Sequence, residues 1–298
     1  MKHISSVTLI ISLTFSQLLS QAKPIDYFGQ ASPGMKPEIF APDFISTSAF
    51  EFCGTFSPDG QAYFFTRRAS YDGWANRIYY THLTENGWSN PTLAPIAEDL
   101  FEFEPAITPD GSTLYFYSER QANRDASFDG DLWFSKATNT GWSTPRHLAS
   151  PINKKYCMNL SSTENGVLYF SSAFEGQRGI FRSKDGMQLE YLPQEINKIY
   201  GSHPYISPDE SWLIMDSQVS GRGQPELFIS FRNTDDTWTQ AVNMGPEINA
   251  TKTEFGASLS PDAKYLFFHR RVHGNGDIYW VDAKIIEDLK EKVLKKLP

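Results

Sequence analysis

The chain has 298 residues, 40% of them apolar and 14% aromatic, and a formal net charge of −8. This length suits one large β-domain or two small ones, and the aromatic load favours strands, whose pleated faces accept flat and branched side chains. The acidic balance argues against a nucleic-acid partner, which needs Lys and Arg to neutralise its phosphates, and against anionic membrane surfaces.

The N-terminus reads as a secretion signal. Lys2 and His3 form a short basic head, residues 4–19 are apolar or small and uncharged, and Ser20-Gln21-Ala22 supplies small residues where a signal peptidase inspects. Cleavage is expected after Ala22. The apolar run of about 16 residues is short for a membrane anchor, which needs about 20, and no Cys follows it to carry a lipid. Residues 1–22 hold Lys2 and no acid, so the remainder has a net charge of −9. A periplasmic or secreted protein without a membrane span after cleavage is the expectation. The two cysteines, Cys53 and Cys157, are then permitted to form a disulfide, although spacing alone does not bring them within bonding reach.

Residues 23–36 form a lead-in. From 37 to 281 the chain repeats. Phe56-Ser57-Pro58-Asp59-Gly60 is echoed by Ile107-Thr108-Pro109-Asp110-Gly111, Ile206-Ser207-Pro208-Asp209-Glu210 and Leu259-Ser260-Pro261-Asp262-Ala263, with a degenerate copy at 160–166. The chemistry is that of a tight turn: Pro presets φ, Asp bonds back to the backbone, and Gly accepts a positive φ. An apolar strand follows each copy, beginning near Tyr63, Leu114, Leu168, Trp212 and Tyr265. A third strand reads Arg77-Ile78-Tyr79-Tyr80, Asp131-Leu132-Trp133-Phe134, Gly179-Ile180-Phe181, Glu226-Leu227-Phe228-Ile229 and Asp277-Ile278-Tyr279-Trp280. Gly87-Trp88-Ser89 recurs as Gly141-Trp142-Ser143 and Thr237-Trp238-Thr239, and a fourth strand runs towards Ile96, Ile152-Asn153, Ile196-Asn197 and Ile248-Asn249. Four strands in roughly 50 residues is the size of a propeller blade.

The fifth unit stops after its third strand. Ile45 stands 11 residues before Phe56, as Ile96 does before Ile107 and Ile248 before Leu259. The segment from Pro37 to Ser46 is therefore expected to supply the missing strand. The fold class expected is all-β: a five-bladed β-propeller of four-stranded blades, closed by an N-terminal strand. Ile285, Ile286, Leu289, Val293 and Leu297 then fall at helical spacing, so 282–298 is expected to be a short amphipathic helix covering apolar surface.

The Ser-Pro-Asp-Gly turn followed by an aromatic strand resembles the PD40, or WD40-like, β-propeller repeat familiar from TolB of the Tol-Pal envelope system. The resemblance spans about 37–281. It implies a propeller but no particular activity, since function belongs to sites and not folds. The chain departs from TolB in lacking a separate domain before the repeats and in having fewer copies than TolB has blades. Some polysaccharide lyases, such as oligogalacturonate lyase, are similar propellers.

In such a fold the first strand of each blade lines a central channel. With the copies aligned on Phe56, Ile107, Leu160, Ile206 and Leu259, the residues three earlier are Cys53, Glu104, Cys157, His203 and Gly256, and those five earlier are Glu51, Glu102, Lys155, Gly201 and Glu254. Period two along a strand places both rings on one side. Cys53, Cys157, His203 and Glu104 are all groups that zinc accepts, set against the plainer reading of polar groups in a wet channel, and no cofactor is expected. Glu51, Glu102, Glu104 and Glu254 offer carboxylates of the kind glycoside hydrolysis uses. Arg68, Arg120 and Arg271 follow the second strand in three units, either to hold an anionic ligand or to pair with acids of neighbouring blades. His203 is the histidine of greatest functional interest, and the Gly-Trp-Ser tryptophans read as packing. No nucleophile, phosphate-loop or zinc-protease motif is present. The expectation is a monomeric binding or scaffold module for a protein or glycan of the cell envelope. The alternative is a glycan-active enzyme, a lyase or hydrolase, using the channel face.

Overall fold

The computed structural model describes residues 24–69, 73–120, 130–149, 151–219, 224–251 and 253–295. The expected leader and its cleavage site lie outside them. Among the described residues the chain forms five successive antiparallel units. Their innermost strands are Phe50–Phe56, Glu102–Ile107, Cys157–Ser162, Ser202–Ile206 and Glu254–Leu259. Second strands (Ala62–Arg68, Thr113–Ser118, Leu168–Phe174, Trp212–Ser217, Tyr265–Val272) and third strands (Arg77–Thr84, Asp131–Thr138, Gln177–Ser183, Glu226–Phe231, Asn275–Asp282) follow in order. Short outer strands at Thr92–Leu93, Arg146–His147, Glu190–Tyr191 and Val242–Asn243 complete the first four units. Glu38–Ile39 completes the fifth, pairing Glu38 with Trp280 and Ile39 with Tyr279.

Each innermost strand packs beside the next, and the fifth packs beside the first. Five apolar clusters lie between neighbouring units, so each sheet is buried by the one before and the one after. The cluster between the fifth and first units is almost wholly aromatic, with Phe40, Tyr63, Phe65 and Trp280 fully buried. Tyr27 of the lead-in joins it and donates a hydrogen bond to Asp262, 2.7 Å.

The turn motif works as its chemistry requires. The Ser57 hydroxyl accepts from the Ala62 N–H (2.9 Å) and donates to Asp59 (2.5 Å), while Gly60 takes φ +67°. Thr108, Ser207 and Ser260 repeat the role. In the third unit Thr163 takes it over, accepting from the Val167 N–H, in a turn one residue shorter. Ser162 pairs with Leu168 as Phe56 pairs with Tyr63. The counterpart of Phe56 is thus Ser162, not Leu160, which moves the expected alignment by two residues.

The repeated Ile-Asn pair is a staple. The Asn197 carboxamide accepts from the Ile180 N–H (2.8 Å) and donates to the Ile180 and Leu192 carbonyls. Asn153 and Asn249 do the same at Leu132 and Leu227, and the Ser46 hydroxyl does so at Ile278. Asn197→Ala leaves two buried backbone groups without partners at about 1–3 kcal/mol each. We expect it to lower the unfolding free energy by about 2–4 kcal/mol. Urea denaturation measures this, and a loss under 1 kcal/mol would remove the staple's importance.

The C-terminal helix runs Lys284–Leu294, with Ile285 and Ile286 buried and Leu289 and Val293 packed on the cluster between the fourth and fifth units. Leu297 lies outside the described residues. No helix among them is long and apolar enough to cross a membrane.

Candidate ligand site at the channel axis

Every innermost strand carries a bulge at the same place. The pairing register shifts between Phe52 and Thr55, Phe103 and Ala106, Met158 and Ser161, Ser202 and Tyr205, and Phe255 and Ser258. The first inserted residue is left-handed each time: Cys53 (φ 47°), Glu104 (58°), Asn159 (57°), His203 (45°) and Gly256 (64°). Such a bulge turns the strand and aims its inserted side chain anew. A Cβ at Gly256 would sit 2.5 Å from the Cys53 sulfur, which is why glycine stands there.

The axial ring is therefore Cys53, Glu104, Asn159, His203 and Gly256. Cys157 is not in it. Cys157 occupies the place assigned to Lys155 and is buried with Leu132, Ile152 and Phe170. Both cysteines are free thiols, and burial pushes each up well above the ordinary thiol range. The quartet of Cys53, Cys157, His203 and Glu104 does not assemble, and among the described residues no three His, Cys, Asp or Glu gather to hold a metal ion.

The expected second ring is also corrected. Glu51, Glu102 and Glu254 are fully buried and turned into the segments that lead into their units. Glu51 accepts from the Thr47 hydroxyl (2.7 Å) and Arg67 (2.8 Å), Glu102 from Ser118 (2.8 Å) and Arg120 (2.8 Å), and Glu254 from the Thr251 hydroxyl (2.6 Å). Arg270 lies 3.3 Å from Glu254. Alternation stops at the bulge, so the two rings do not share a face. Burial pushes these three carboxyls up, against the donors that hold them. The arginine reading shifts with them. Arg67 and Arg270, not Arg68 and Arg271, pair with the glutamates, and the pairs lie within a unit. Arg67, Arg120 and Arg270 also donate to carbonyls at Ile45, Ile96 and Ile248, tying the incoming segment down. Arg68 lies over the Phe50 ring at 4.1 Å.

His203 is where the axis concentrates charge. Its Nε2 is 3.1 Å from Glu104 and its Nδ1 is 2.6 Å from Asp216. Asn159 donates to the other Glu104 oxygen, and the Glu104 N–H donates to the Thr66 hydroxyl (2.9 Å). Burial opposes a charge on the imidazole, but Asp216 and Glu104 outweigh it and push His203 up to about 10. His203 packs on Phe255 at 4.9 Å, and Phe255 on His269 at 4.4 Å. His269 is the opposite case. Burial drives it down to about 3, and its Nδ1 lies 2.8 Å from the Glu51 carbonyl.

Two cavities meet at His203. One, of about 190 Å³, opens on the Ser-Pro-Asp-Gly side between Pro58, Pro109, Pro208 and Pro261 and is floored by the axial ring. The other, of about 590 Å³, opens on the opposite face between the third and fourth units, lined by Tyr156, Arg178, Tyr200 and Asp216 among others. Trp74, in the link between the second and third strands of the first unit, is 89% exposed. Trp88, by contrast, stacks on Phe28 at 4.3 Å, and Trp238 is buried.

Asp216 and Asn159 escaped the sequence reading. The residues that face the bulges from the second strands are Thr66, Ser171, Asp216 and His269, together with Tyr117. Polar residues recurring at one register of otherwise apolar strands are the signal that finds them.

Compared by sequence, the chain matches no family model and no curated protein. Its structure is similar to a protein assigned as TolB from Agrobacterium tumefaciens, with TM-score 0.51, 14% identity, and 78% of this chain and 77% of that one covered. It is similar to a glycoside hydrolase at TM-score 0.51 and 11% identity, covering 85% and 91%. A family 117 glycoside hydrolase from Zobellia galactanivorans matches at TM-score 0.50 and 12% identity, covering 84% and 90%. The fold is a β-propeller. At these identities the likeness concerns the propeller fold alone.

Proposed function

We propose that the chain is an exported, five-bladed propeller of the PD40 type, closed by its N-terminal strand, that binds a glycan of the cell envelope at the channel mouth without transforming it. The observation that carries this reading is the pairing of the axial charges. His203 is held as a cation between Glu104 and Asp216, and Glu51, Glu102 and Glu254 are held by arginines and hydroxyls. General acid–base work calls for a group near its titration point within reach of substrate, and an imidazole at about 10 is not one. A cavity of about 590 Å³ with exposed tyrosines suits a ligand.

The test is the melting temperature of the purified protein against neutral and acidic oligosaccharides, with product analysis on the same mixtures. A glycan at a hundredfold excess over Kd is expected to stabilise by about 2.7 kcal/mol and to be recovered intact. A flat panel sinks the glycan reading and favours a protein partner. Recovered fragments would establish the second reading, a glycan-active enzyme.

A further inference from the structure

We propose that the mouth cavity between the third and fourth blades takes an anionic saccharide, with its acid group on Arg178 and its sugar ring on the exposed tyrosines. This rests on the glycan-binding reading and names the chemical class of the ligand.

Arg178 is exposed at the start of the third strand of the third blade and lines the cavity. Arg67, Arg77, Arg120, Arg182, Arg232 and Arg270 each have a carboxylate within 4.0 Å, whereas Arg178 makes no ion pair among the described residues. Its guanidinium lies 6.0 Å from the Tyr156 ring centre. Lys154 and Lys155 stand in the segment just before Tyr156, also without an ion pair among the described residues. In a chain with a net charge of −8, this is a local cationic patch. An arginine with its fork free binds a carboxylate through two parallel hydrogen bonds.

The remaining lining suits a polyhydroxylated ring. Tyr200 is 76% exposed and Tyr156 41%, so both leave aromatic faces to solvent at the cavity. Such faces accept the C–H face of a sugar while their hydroxyls stay wet. The Ser171 hydroxyl lines the same cavity, belongs to a residue 6% exposed, and has no hydrogen-bond partner among the described residues. A buried hydroxyl left unpaired costs free energy that a ligand hydroxyl would recover. Ser202 and Gln218 add polar groups to the wall. The His203 cation at the floor is already shared between Asp216 and Glu104, which leaves Arg178 as the cation for an incoming acid.

The experiment is calorimetric titration with β-linked triglucuronate, its methyl ester and cellotriose, on the wild type, Arg178→Gln and Tyr200→Ala. Both side chains are exposed, and unchanged melting temperatures confirm that the variants fold. The acid is expected to bind at least tenfold more tightly than its ester. Arg178→Gln is expected to erase that preference while leaving the ester's affinity unchanged, and Tyr200→Ala to weaken both ligands together. An ester that binds as tightly as the acid, or a preference that survives Arg178→Gln, overturns the anionic assignment and leaves the glycan-binding reading standing. No binding by any of the three overturns both.

Discussion

Replacing Trp280 by alanine is expected to lower the unfolding free energy by about 3–5 kcal/mol, the range for emptying a large aromatic site in a packed core. Trp280 is fully buried, with ring centres of Phe40, Tyr265 and Tyr27 at 5.1, 4.9 and 5.6 Å and Phe267 stacked at 6.0 Å. These neighbours come from the lead-in, the N-terminal strand and the last blade, and none is free to move into the space without abandoning another contact. Total stability is commonly 5–15 kcal/mol, so the variant is expected to unfold at much lower urea. Trp74→Ala is the control. Its indole is 89% exposed, and a change within about 0.5 kcal/mol is expected. If Trp280→Ala loses less than 1 kcal/mol, the aromatic seam is not what holds the ends of the chain.

The second large effect is expected at the axis. His203→Ala leaves Glu104 and Asp216 buried without the cation between them, and breaking a buried pair in this way costs about 3–5 kcal/mol. The pH dependence separates this from simple loss of packing. In the native protein His203 is pushed up to about 10, whereas in the unfolded chain a histidine titrates near 6.5. The native state holds the extra proton between these values. The stability His203 contributes is therefore complete below about 6.5 and lost as pH rises through about 10. The difference between wild type and variant is therefore expected to be largest below about 6.5 and to shrink as pH rises towards 10. Equal differences at pH 5, 7 and 10 would show that the ionic cluster contributes nothing beyond its volume.

The repeat was legible because turn chemistry is local. Ser57-Pro58-Asp59-Gly60 specifies its own hydrogen bonds, and the same logic held at Thr108, Ser207 and Ser260. It failed at Thr163, where the same hydroxyl function serves a shorter turn. That slip placed Cys157 on the axis and hid Asn159. The rings failed for another reason. Alternation is a property of regular strands, and the bulges that break it bear no sequence mark at Cys53 and Glu104. Gly256 has the residue type that left-handed backbone favours most, and the preference at Asn159 and His203 is weaker. Reading Glu51, Glu102 and Glu254 as channel residues extended a two-residue period across a point where the backbone changes hand. His203 and Glu104 were found because they sit on the bulge itself. Asp216 was missed because its strand was read only for apolar content.

The strand Glu38–Ile39 hydrogen-bonds to Asn275–Asp282, so its partner is made more than two hundred residues later. During synthesis the segment with Phe40 and Ile45 has no permanent place until the fifth unit has been made. Long-range pairing of this kind is slow to form, although the entropic cost of closing so large a loop grows only with the logarithm of its length. A product that ends early is therefore defective at both extremities at once. It lacks its last sheet, and it leaves its N-terminal aromatics uncovered. Such a fragment advertises its own incompleteness to chaperones and proteases, so the ring carries a built-in check that its fifth sheet was made.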